Sequence, residues 1–520
     1  MENHSLAFEK TTLLKPLIKD FISGNLPDEI IENYTLTIEN LTKKKEELVN
    51  QKINRPLLHS VLQQQNSNAK GCELIQQNIN LVLEKSTFFV LCAHQPCLFL
   101  GPSFLIYKII STIKLAIELQ LKFPDIHCIP MFWIGSEDHD KEEILTCTIN
   151  EQSIKWDTNQ TGACGAMQLN EIEKNIQIIE KKSANQDWIQ LLKKHYKSTA
   201  TLSEATRNMV NELFQDYGLL VIDQNNAALK SAMNSLFIDE LKNSSIDTFI
   251  TIQNEPIEKF KYHKQSNTRE INLFLIEKNG RNRILKKDNQ FIVENSGTTF
   301  THSEIEKFVE LNSAVISPNV NLRPLMQSIL IPTLVFVGGA GELSYWLQQP
   351  QLFKHYATVF PLLCLRNSFV HLSSKALKKI HKNNFEYADF FMKTDALKTS
   401  KVMNEVEIIN VLRQKIDAAF DEISNYVTTI DSTLNGSAAA EKKKINNSIE
   451  VLKSKATQAL KRNNEQLMSE IDLILNEIFP NKTFQERWHN FGKYYSNQNI
   501  AMLLDICTPL KSNIHFYFNH

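Results

Sequence analysis

The strongest constraint on the fold is a set of five short apolar runs, each followed by a segment with helical spacing. Buried strands of this kind occur in parallel sheets that are covered by helices on both faces. The sequence therefore predicts an α/β protein with a Rossmann-like, doubly wound parallel sheet. The five runs are Thr87–Cys92, Ile126–Ile134, Gly218–Asp223, Thr333–Gly339 and Phe360–Arg366.

Two long stretches between the predicted strands do not follow the strand-then-helix pattern. Residues 150–217 and 224–330 are predicted to be connective insertions, and the second contains a polar, β-rich piece. Nearer the N-terminus, residues 28–64 have apolar positions at helical spacing and predict one long helix that ends near Pro56. We expect residues 1–395 to form a core that includes these helices and insertions.

The segment after the core has a different pattern. In residues 402–478 the apolar positions recur three and four residues apart, which predicts an antiparallel helical hairpin with coiled-coil character. The dipeptide Asn435-Gly436 is the predicted break between its two helices. We expect this hairpin to occupy residues 396–480, and we expect residues 481–520 to pack back on the core.

Charge and cysteine content exclude several classes of protein. The 57 Lys and Arg residues are matched by 58 Asp and Glu residues, so no overall basic excess favours nucleic-acid binding. No run of ~20 apolar residues is present, and we therefore expect no membrane span. The eight cysteines form no Cys-x-x-Cys pair, which gives no support to a zinc ribbon or a thioredoxin-like site. We expect reduced thiols and a cytoplasmic location.

The second apolar run ends abruptly in ionisable residues. Those residues are Glu137, Asp138, His139 and Asp140. Because ligands bind at the carboxyl ends of strands in open α/β sheets, we treat all four as candidate catalytic residues. Three interpretations remain open: an oxygen-rich site for Mg²⁺, a general acid/base cluster, or a clamp for a substrate amine. The structural alternative is a turn in which Asp138 caps a helix over residues 141–145. We assign no residue as a metal ligand.

The first predicted strand also leads into a turn with candidate binding residues. His94 and Gln95 lie between this strand and the following helix, where a side chain can reach a phosphate or a carboxylate. Gly101 permits a close approach of the backbone. Lys108 lies about two turns into the helix. Capping, core packing and simple solvation are the alternatives for these residues.

A glycine-rich turn follows the fourth apolar run. Gly338, Gly339 and Gly341 allow backbone amides to face a ligand, and Glu342 follows them at a helix start. The turn has neither the G-x-G-x-x-G spacing nor the Lys of a P-loop, so a dinucleotide or Walker-type site is disfavoured. The acid favours an amine or a sugar hydroxyl as the ligand. Trp346 is a further candidate contact, although core packing is the commoner role for such a residue.

Two arginines complete the set of candidates. Arg366 and Asn367 end the fifth apolar run, and Arg323 precedes Pro324 in the second insertion. An Arg side chain can bind a carboxylate or a phosphate through two parallel hydrogen bonds. The alternative is an ion pair with an acid of the protein itself.

Taken together, these motifs resemble the cysteine ligase family of bacillithiol biosynthesis. The resemblance covers most of the chain and is clearest between about residues 86 and 370. The segments that carry it are Gln95–Pro102, Tyr107-Lys108, Phe132–Asp140, Leu322–Pro324, Val337–Trp346 and Arg366–Ser368.

The resemblance implies a core akin to class I aminoacyl-tRNA synthetases, with connective insertions and a coiled-coil domain that forms a homodimer. It implies that the substrates are L-cysteine and glucosaminyl-malate, which condense to the amide bacillithiol. It also implies binding of an adenine nucleotide, ATP or ADP, with Mg²⁺ as a further candidate.

Two other functions stay open. One is a synthetase-like nucleotidyltransferase that acts on another substrate. The other is a scaffold protein that works through its coiled coil; the concentrated acids after Ile134 argue against this, since a scaffold does not need them.

Overall fold

The centre of the protein is a sheet of five strands. In a computed structural model, which describes residues 3–69, 71–149, 151–288 and 290–518, all five are parallel and their order across the sheet is β3-β2-β1-β4-β5. This order confirms the predicted Rossmann-like sheet, while the synthetase-like subclass stays a prediction. The strands are β1 (Thr87–His94), β2 (His127–Ile134), β3 (Leu220–Asp223), β4 (Thr333–Gly338) and β5 (Leu362–Leu365).

Both faces of the sheet are buried, which explains why the strands do not alternate between apolar and polar residues. Phe89 and Leu91 of β1 belong to the apolar cluster on one face, and Phe88 and Val90 belong to the cluster on the other. Helix α1 (Phe104–Lys122) packs against β1 and β2. The strand order reverses between β1 and β4, and a crevice above their carboxyl ends is where this fold binds ligands.

The connection from β2 to β3 contains the short helix Lys141–Ile144, a hairpin and three longer helices. The strands Thr146–Ile149 and Gln152–Lys155 pair in antiparallel fashion. Since the helix Leu202–Phe214 packs on β3, this insertion is part of the core rather than a separate domain. The helices are Ile172–Glu180, Gln186–His195 and Leu202–Phe214.

The connection from β3 to β4 begins with helix α2 (Ala227–Ser231) and contains a second sheet. The five strands of this sheet are all antiparallel to their neighbours. They are Leu273–Glu277, Gly280–Lys287, Gln290–Val293, Thr299–Phe300 and Ile316–Pro318. The other helices of this connection are Asn234–Asn243, Ser245–Lys259, His302–Asn312 and Arg323–Leu330.

The N-terminal region differs from the prediction. The single helix expected over residues 28–64 is wrong, because the structure has two helices there, Ile38–Asn50 and Arg55–Gln65. The side chain of Asn54 caps the second helix by accepting from the Leu57 amide at 3.1 Å, and Pro56 occupies its first turn. The other elements before β1 are the strand Asn3–Ala7 and the helices Pro16–Ile22 and Glu73–Leu81.

After β5 the chain leaves the core as a long helical hairpin. Helix α3 (Ala340–Trp346) and the helix Pro350–His355 lie between β4 and β5, and Ser374–Lys382 and Thr394–Ser400 precede the hairpin. The hairpin consists of α4 (Met403–Ile430) and α5 (Leu434–Asn463), which pack against each other. The predicted break at Asn435-Gly436 is misplaced by a few residues, because both residues lie within α5 and the turn is at 431–433.

The chain then returns to the core through three helices and a strand. The helices are Glu465–Ile478, Gln485–Trp488 and Asn497–Ile506. The strand Asn513–Tyr517 lies between Asn3–Ala7, to which it is antiparallel, and Ser368–His371, to which it is parallel. Across the described ranges, no helix is long and apolar enough to cross a membrane.

Candidate active site

A cavity of about 410 Å³ opens at the carboxyl edge of the parallel sheet, above the point where the strand order reverses. Residues that follow four of the strands line it. We call it the central cavity. The predicted site residues that line it are His94, Gln95, Asp138, Arg323, Gly339, Gly341, Glu342 and Arg366.

The last residue of β1 is a neutral imidazole at the wall of this cavity. His94 Nδ1 lies 3.2 Å from the carbonyl oxygen of Gln95. Burial, and secondly the charge of Lys108, lowers the pKa of His94 to about 3. At neutral pH this side chain therefore offers hydrogen bonds to a ligand but no charge.

At the cavity wall, Glu342 forms an ion pair with the buried Lys108. Lys108 Nζ is 2.5 Å from Glu342 Oε2 and donates to the carbonyl oxygen of Ala93 at 2.8 Å. Burial acts to raise the pKa of Glu342, but Lys108 and His94 outweigh burial and lower the pKa. The cation that Glu342 attracts is thus Lys108 of the protein itself, and Lys108 is not the solvated side chain that the sequence allowed.

The four ionisable residues after β2 point in different directions, contrary to the expectation that they share one ligand. Glu137 turns into the core, where it forms an ion pair with Lys230 of α2 and accepts from Ser317 Oγ at 2.8 Å and Gln224 Nε2 at 3.2 Å. Both members of the ion pair are buried. The charge of Glu137 is therefore neutralised inside the protein by Lys230, and Glu137 does not line the central cavity.

Asp138 is the acid of this group that faces the central cavity. Its Oδ2 accepts from Gln95 Nε2 at 3.1 Å, and its Oδ1 accepts from the His139 amide at 2.7 Å. Burial acts to raise its pKa, but the guanidinium groups of Arg323 and Arg281 prevail and lower it. Asp138 is therefore an ionised carboxylate at neutral pH.

The remaining two residues of the group have structural contacts outside the cavity. His139 Nδ1 accepts from Arg281 at 3.2 Å. Asp140 caps the short helix Lys141–Ile144 by accepting from the Glu143 amide at 3.2 Å, so the cap is Asp140 and not Asp138 as predicted. In the described part of the chain, no three His, Cys, Asp or Glu side chains are placed to hold a metal ion. The four residues after β2 therefore do not form a metal-ligand cluster of their own, and Mg²⁺ stays a prediction.

The glycine-rich turn after β4 closes one end of the cavity. Gly339 donates its amide to Glu342 Oε2 at 2.9 Å and, with Gly341, lines the cavity. Gly338 is a packing position instead, since an added Cβ would lie 3.0 Å from the side chains of Leu343 and Phe336. Trp346 is fully buried and its ring centroid lies 4.3 Å from that of Phe336, so it belongs to the core.

Gly101 has a conformational role away from the cavity. It ends a turn in which Phe99, Leu100 and Gly101 all have positive φ, at 51°, 64° and 58°. A Cβ added to Gly101 would lie 2.6 Å from Cys97 Cβ. Asn490 holds the turn by donating to the carbonyl oxygen of Gly101 at 2.7 Å. Tertiary packing thus maintains a strained turn at residues 99–101, between β1 and α1.

The two residues after β5 connect the core to the C-terminal segment. Arg366 forms a bidentate ion pair with Glu486, at 2.6 and 2.9 Å, while its Nε is buried without a partner at the cavity wall. Asn367 donates to the carbonyl oxygen of Lys511 at 2.8 Å and accepts from the Thr508 amide at 2.7 Å. Arg366 thus lines the cavity while Glu486 neutralises its charge. Asn367 is a structural residue.

A second cavity of about 370 Å³ adjoins the first at Asp138, Val320 and Arg323. We call it the arginine cavity, because Arg269, Arg281 and Arg283 of the second insertion line it together with Arg323. The sequence analysis missed the first three, which lie in a stretch without a motif. It also missed several residues that line or support the central cavity: Phe104, Trp133, Glu143, Lys230, Gln265, Tyr345, Glu486 and Arg487.

Comparison with known proteins identifies the family. A model described as the N-terminal Rossmann-like domain of the bacillithiol biosynthesis protein BshC matches residues 1–367. A second model, for the C-terminal coiled-coil domain of BshC, matches residues 369–518. The chain belongs to the BshC family. Its match to both BshC domains confirms the predicted resemblance.

Individual relatives are similar along nearly their whole length. A BshC protein of Flavobacterium psychrophilum, named "Putative cysteine ligase BshC", is 33% identical over 506 residues, which cover 95% of each chain. Proteins of the same name from Flavobacterium johnsoniae and Cytophaga hutchinsonii are 32% and 34% identical, covering 99% and 88% of each chain. BshC relatives therefore match this chain in length as well as in sequence.

Proposed function

We propose that the protein is a ligase that joins L-cysteine to the amine of glucosaminyl-malate and thereby forms bacillithiol. The observation that carries the proposal is the pair of adjoining cavities at the carboxyl edge of the sheet, with the ionised Asp138 at their junction. The reaction joins two substrates, which need neighbouring sites. Membership in the BshC family supports a role in bacillithiol biosynthesis, and the names of the relatives support cysteine ligation.

Amide formation requires activation of the cysteine carboxylate. We propose that an adenine nucleotide transfers a phosphoryl or adenylyl group to a carboxylate oxygen of cysteine, releasing ADP or pyrophosphate. The substrate amine then attacks the carbonyl carbon, the bond to the phosphate oxygen breaks, and the amine loses a proton. Neutral His94 and the unpartnered Nε of Arg366 are the groups of the central cavity that can hydrogen-bond this activated acyl group.

Asp138 attracts the substrate as an ammonium ion. A carboxylate whose pKa is lowered is a good counter-ion but a weak base. Glu143 is the better proton acceptor, because burial and the nearby charges of Asp140 and Asp138 raise its pKa and it lines the same cavity. We therefore assign amine binding to Asp138 and proton acceptance to Glu143, and we no longer place Glu137, His139 or Asp140 in contact with substrate.

We further propose that the protein is a cytoplasmic homodimer. Along α4 a stripe of apolar side chains is exposed, with the spacing of a coiled-coil seam. A second copy of the hairpin would bury it. All eight cysteines are free thiols, which suits a reducing compartment. The stripe consists of Ile408, Val411, Leu412, Ile416, Ile423, Tyr426 and Ile430.

The test is to incubate purified protein with L-cysteine, glucosaminyl-malate, ATP and Mg²⁺, and to detect bacillithiol by mass spectrometry. We expect the product with the wild type and with Glu142→Gln, a matched variant at an exposed carboxylate outside the cavity. We expect little product with Asp138→Asn. Absence of product, together with pyrophosphate exchange that depends on another amino acid, would instead indicate a synthetase-like nucleotidyltransferase.

A further inference from the structure

The arginine cavity carries an excess of positive charge, because four guanidinium groups and one carboxylate line it. Arg269, Arg281, Arg283 and Arg323 line it, and Asp138 is the acidic side chain among its lining residues. In the part of the chain that the structure describes, none of these four guanidinium groups forms an ion pair with a carboxylate, in contrast to Arg366 with Glu486. Four cations around a space of this size favour a ligand with more than one negative charge.

One of the four arginines is held in a fixed orientation. Arg281 donates through Nε to Ser317 Oγ at 2.8 Å and through a terminal nitrogen to the carbonyl oxygen of Pro318 at 2.8 Å, and its guanidinium lies 3.9 Å from the ring centre of Phe274. Its third contact is with His139 at 3.2 Å. Because a guanidinium has five N–H groups, two of them remain for a ligand. A binding group fixed in this way loses little entropy when it binds.

Arg323 connects the two cavities. Its side chain lies so close to the backbone after β2 that a Cβ added at Gly135 would be 3.0 Å from its Nη1. The absence of a side chain at Gly135 thus gives Arg323 its position beside Asp138, where both residues line both cavities. An anion in the arginine cavity would lie next to the acid that we assign to the amine.

This arrangement matches the chemistry of one substrate of the proposed reaction. In glucosaminyl-malate the malyl group is attached to C1 of the sugar and the amine to C2, so two carboxylates lie close to one ammonium group. Resting on the proposed function, we infer that the arginine cavity binds the two carboxylates of the malyl group, which directs the amine past Asp138 into the central cavity. The planar guanidinium of arginine can bind a carboxylate through two parallel hydrogen bonds. Substrate selection would then be a role of the β-rich insertion.

The test combines a shortened substrate with a shortened side chain. Methyl glucosaminide has the amine but neither carboxylate. For Arg281→Met we expect kcat/KM for glucosaminyl-malate to fall about 10- to 100-fold, mainly through KM, as for loss of a charged hydrogen bond. We expect methyl glucosaminide to react slowly with the wild type. For this acceptor, Arg281→Met should change kcat/KM by less than about 2-fold. Lys287→Met, an exposed position at the far end of the same strand, is the matched control.

Arg283→Met serves as a second variant, because Arg283 is exposed and its loss does not threaten folding. An equal loss on both acceptors would contradict the inference, as would an unchanged KM for glucosaminyl-malate in both variants. A rise in the KM for ATP instead would show that the cavity holds the polyphosphate. Calorimetric titration with glucosaminyl-malate separates this inference from the proposed function. If the wild type forms no bacillithiol yet binds this ligand, and the variants do not, the cavity assignment stands while the reaction fails.

Discussion

Replacing Lys230 with Met should destabilise the core strongly, because it leaves the carboxylate of Glu137 without a counter-ion. The side chains of this pair are 0% and 1% exposed, so water cannot screen the remaining charge. Glu137 would keep its hydrogen bonds from Ser317 and Gln224. Removing one partner of a buried ion pair costs about 3–5 kcal/mol, and we expect a loss in this range.

Urea unfolding followed by tryptophan fluorescence measures the effect. Trp133 is a local probe, since its indole donates to Gln224 at 3.1 Å and Gln224 in turn donates to Glu137. A chain with a core and a hairpin need not unfold in one step, so the transition that changes Trp133 fluorescence is the one to compare. Lys442→Met is the control, because its pair with Asp421 on the hairpin is exposed and contributes at most about 1 kcal/mol.

A paired substitution separates the charge from the packing. Adding Glu137→Gln to Lys230→Met removes the unpaired charge and retains a side chain that can accept hydrogen bonds. We expect the double variant to recover most of the lost stability. A loss below about 1 kcal/mol in Lys230→Met, or no recovery in the double variant, would refute the reasoning.

The other predictions concern the substrate amine, pH and assembly. Asp138→Asn should lower kcat/KM for the amine substrate about 10- to 100-fold in steady-state kinetics, with Glu142→Gln as control. Burial raises the pKa of Glu240 from 4.5 to about 7, so the folded state holds a proton that the unfolded chain releases. Stability should therefore fall by up to about 3 kcal/mol as pH rises between these values, and Glu240→Gln should abolish this dependence in denaturant titrations. In light scattering, Ile416→Asp should halve the mass of a dimer, whereas Asn425→Asp, on the exposed hairpin surface, should not.

The strands were predictable because their signal is local. The second apolar run begins one residue before β2 and ends with it at Ile134, and the first run lies within β1. The strand order could not be derived, because it depends on which face each connection crosses. The helix predicted over residues 28–64 failed for a local reason, since the cap at Asn54 restarts the helix within a continuous helical pattern.

The site was predictable only as a location. The carboxyl ends of β1, β2, β4 and β5 do meet at one cavity, as the Rossmann-like sheet requires. The partners of the individual side chains were beyond the sequence, because they come from distant segments. Lys230 is far along the chain from Glu137, and Glu486 is 120 residues from Arg366. An acid whose counter-ion lies elsewhere in the chain cannot be distinguished from an acid that awaits a ligand.

The three-stranded sheet that joins Asn3–Ala7 to Asn513–Tyr517 has a consequence for synthesis on the ribosome. The residues of the parallel sheet emerge long before residue 513, so that sheet can form while translation continues. The small sheet cannot close until Asn513–Tyr517 emerges, and Arg366 lacks its counter-ion until Glu486 does. A nascent chain that stops within the hairpin therefore has an incomplete cavity wall and an unpaired strand edge, and such edges favour aggregation.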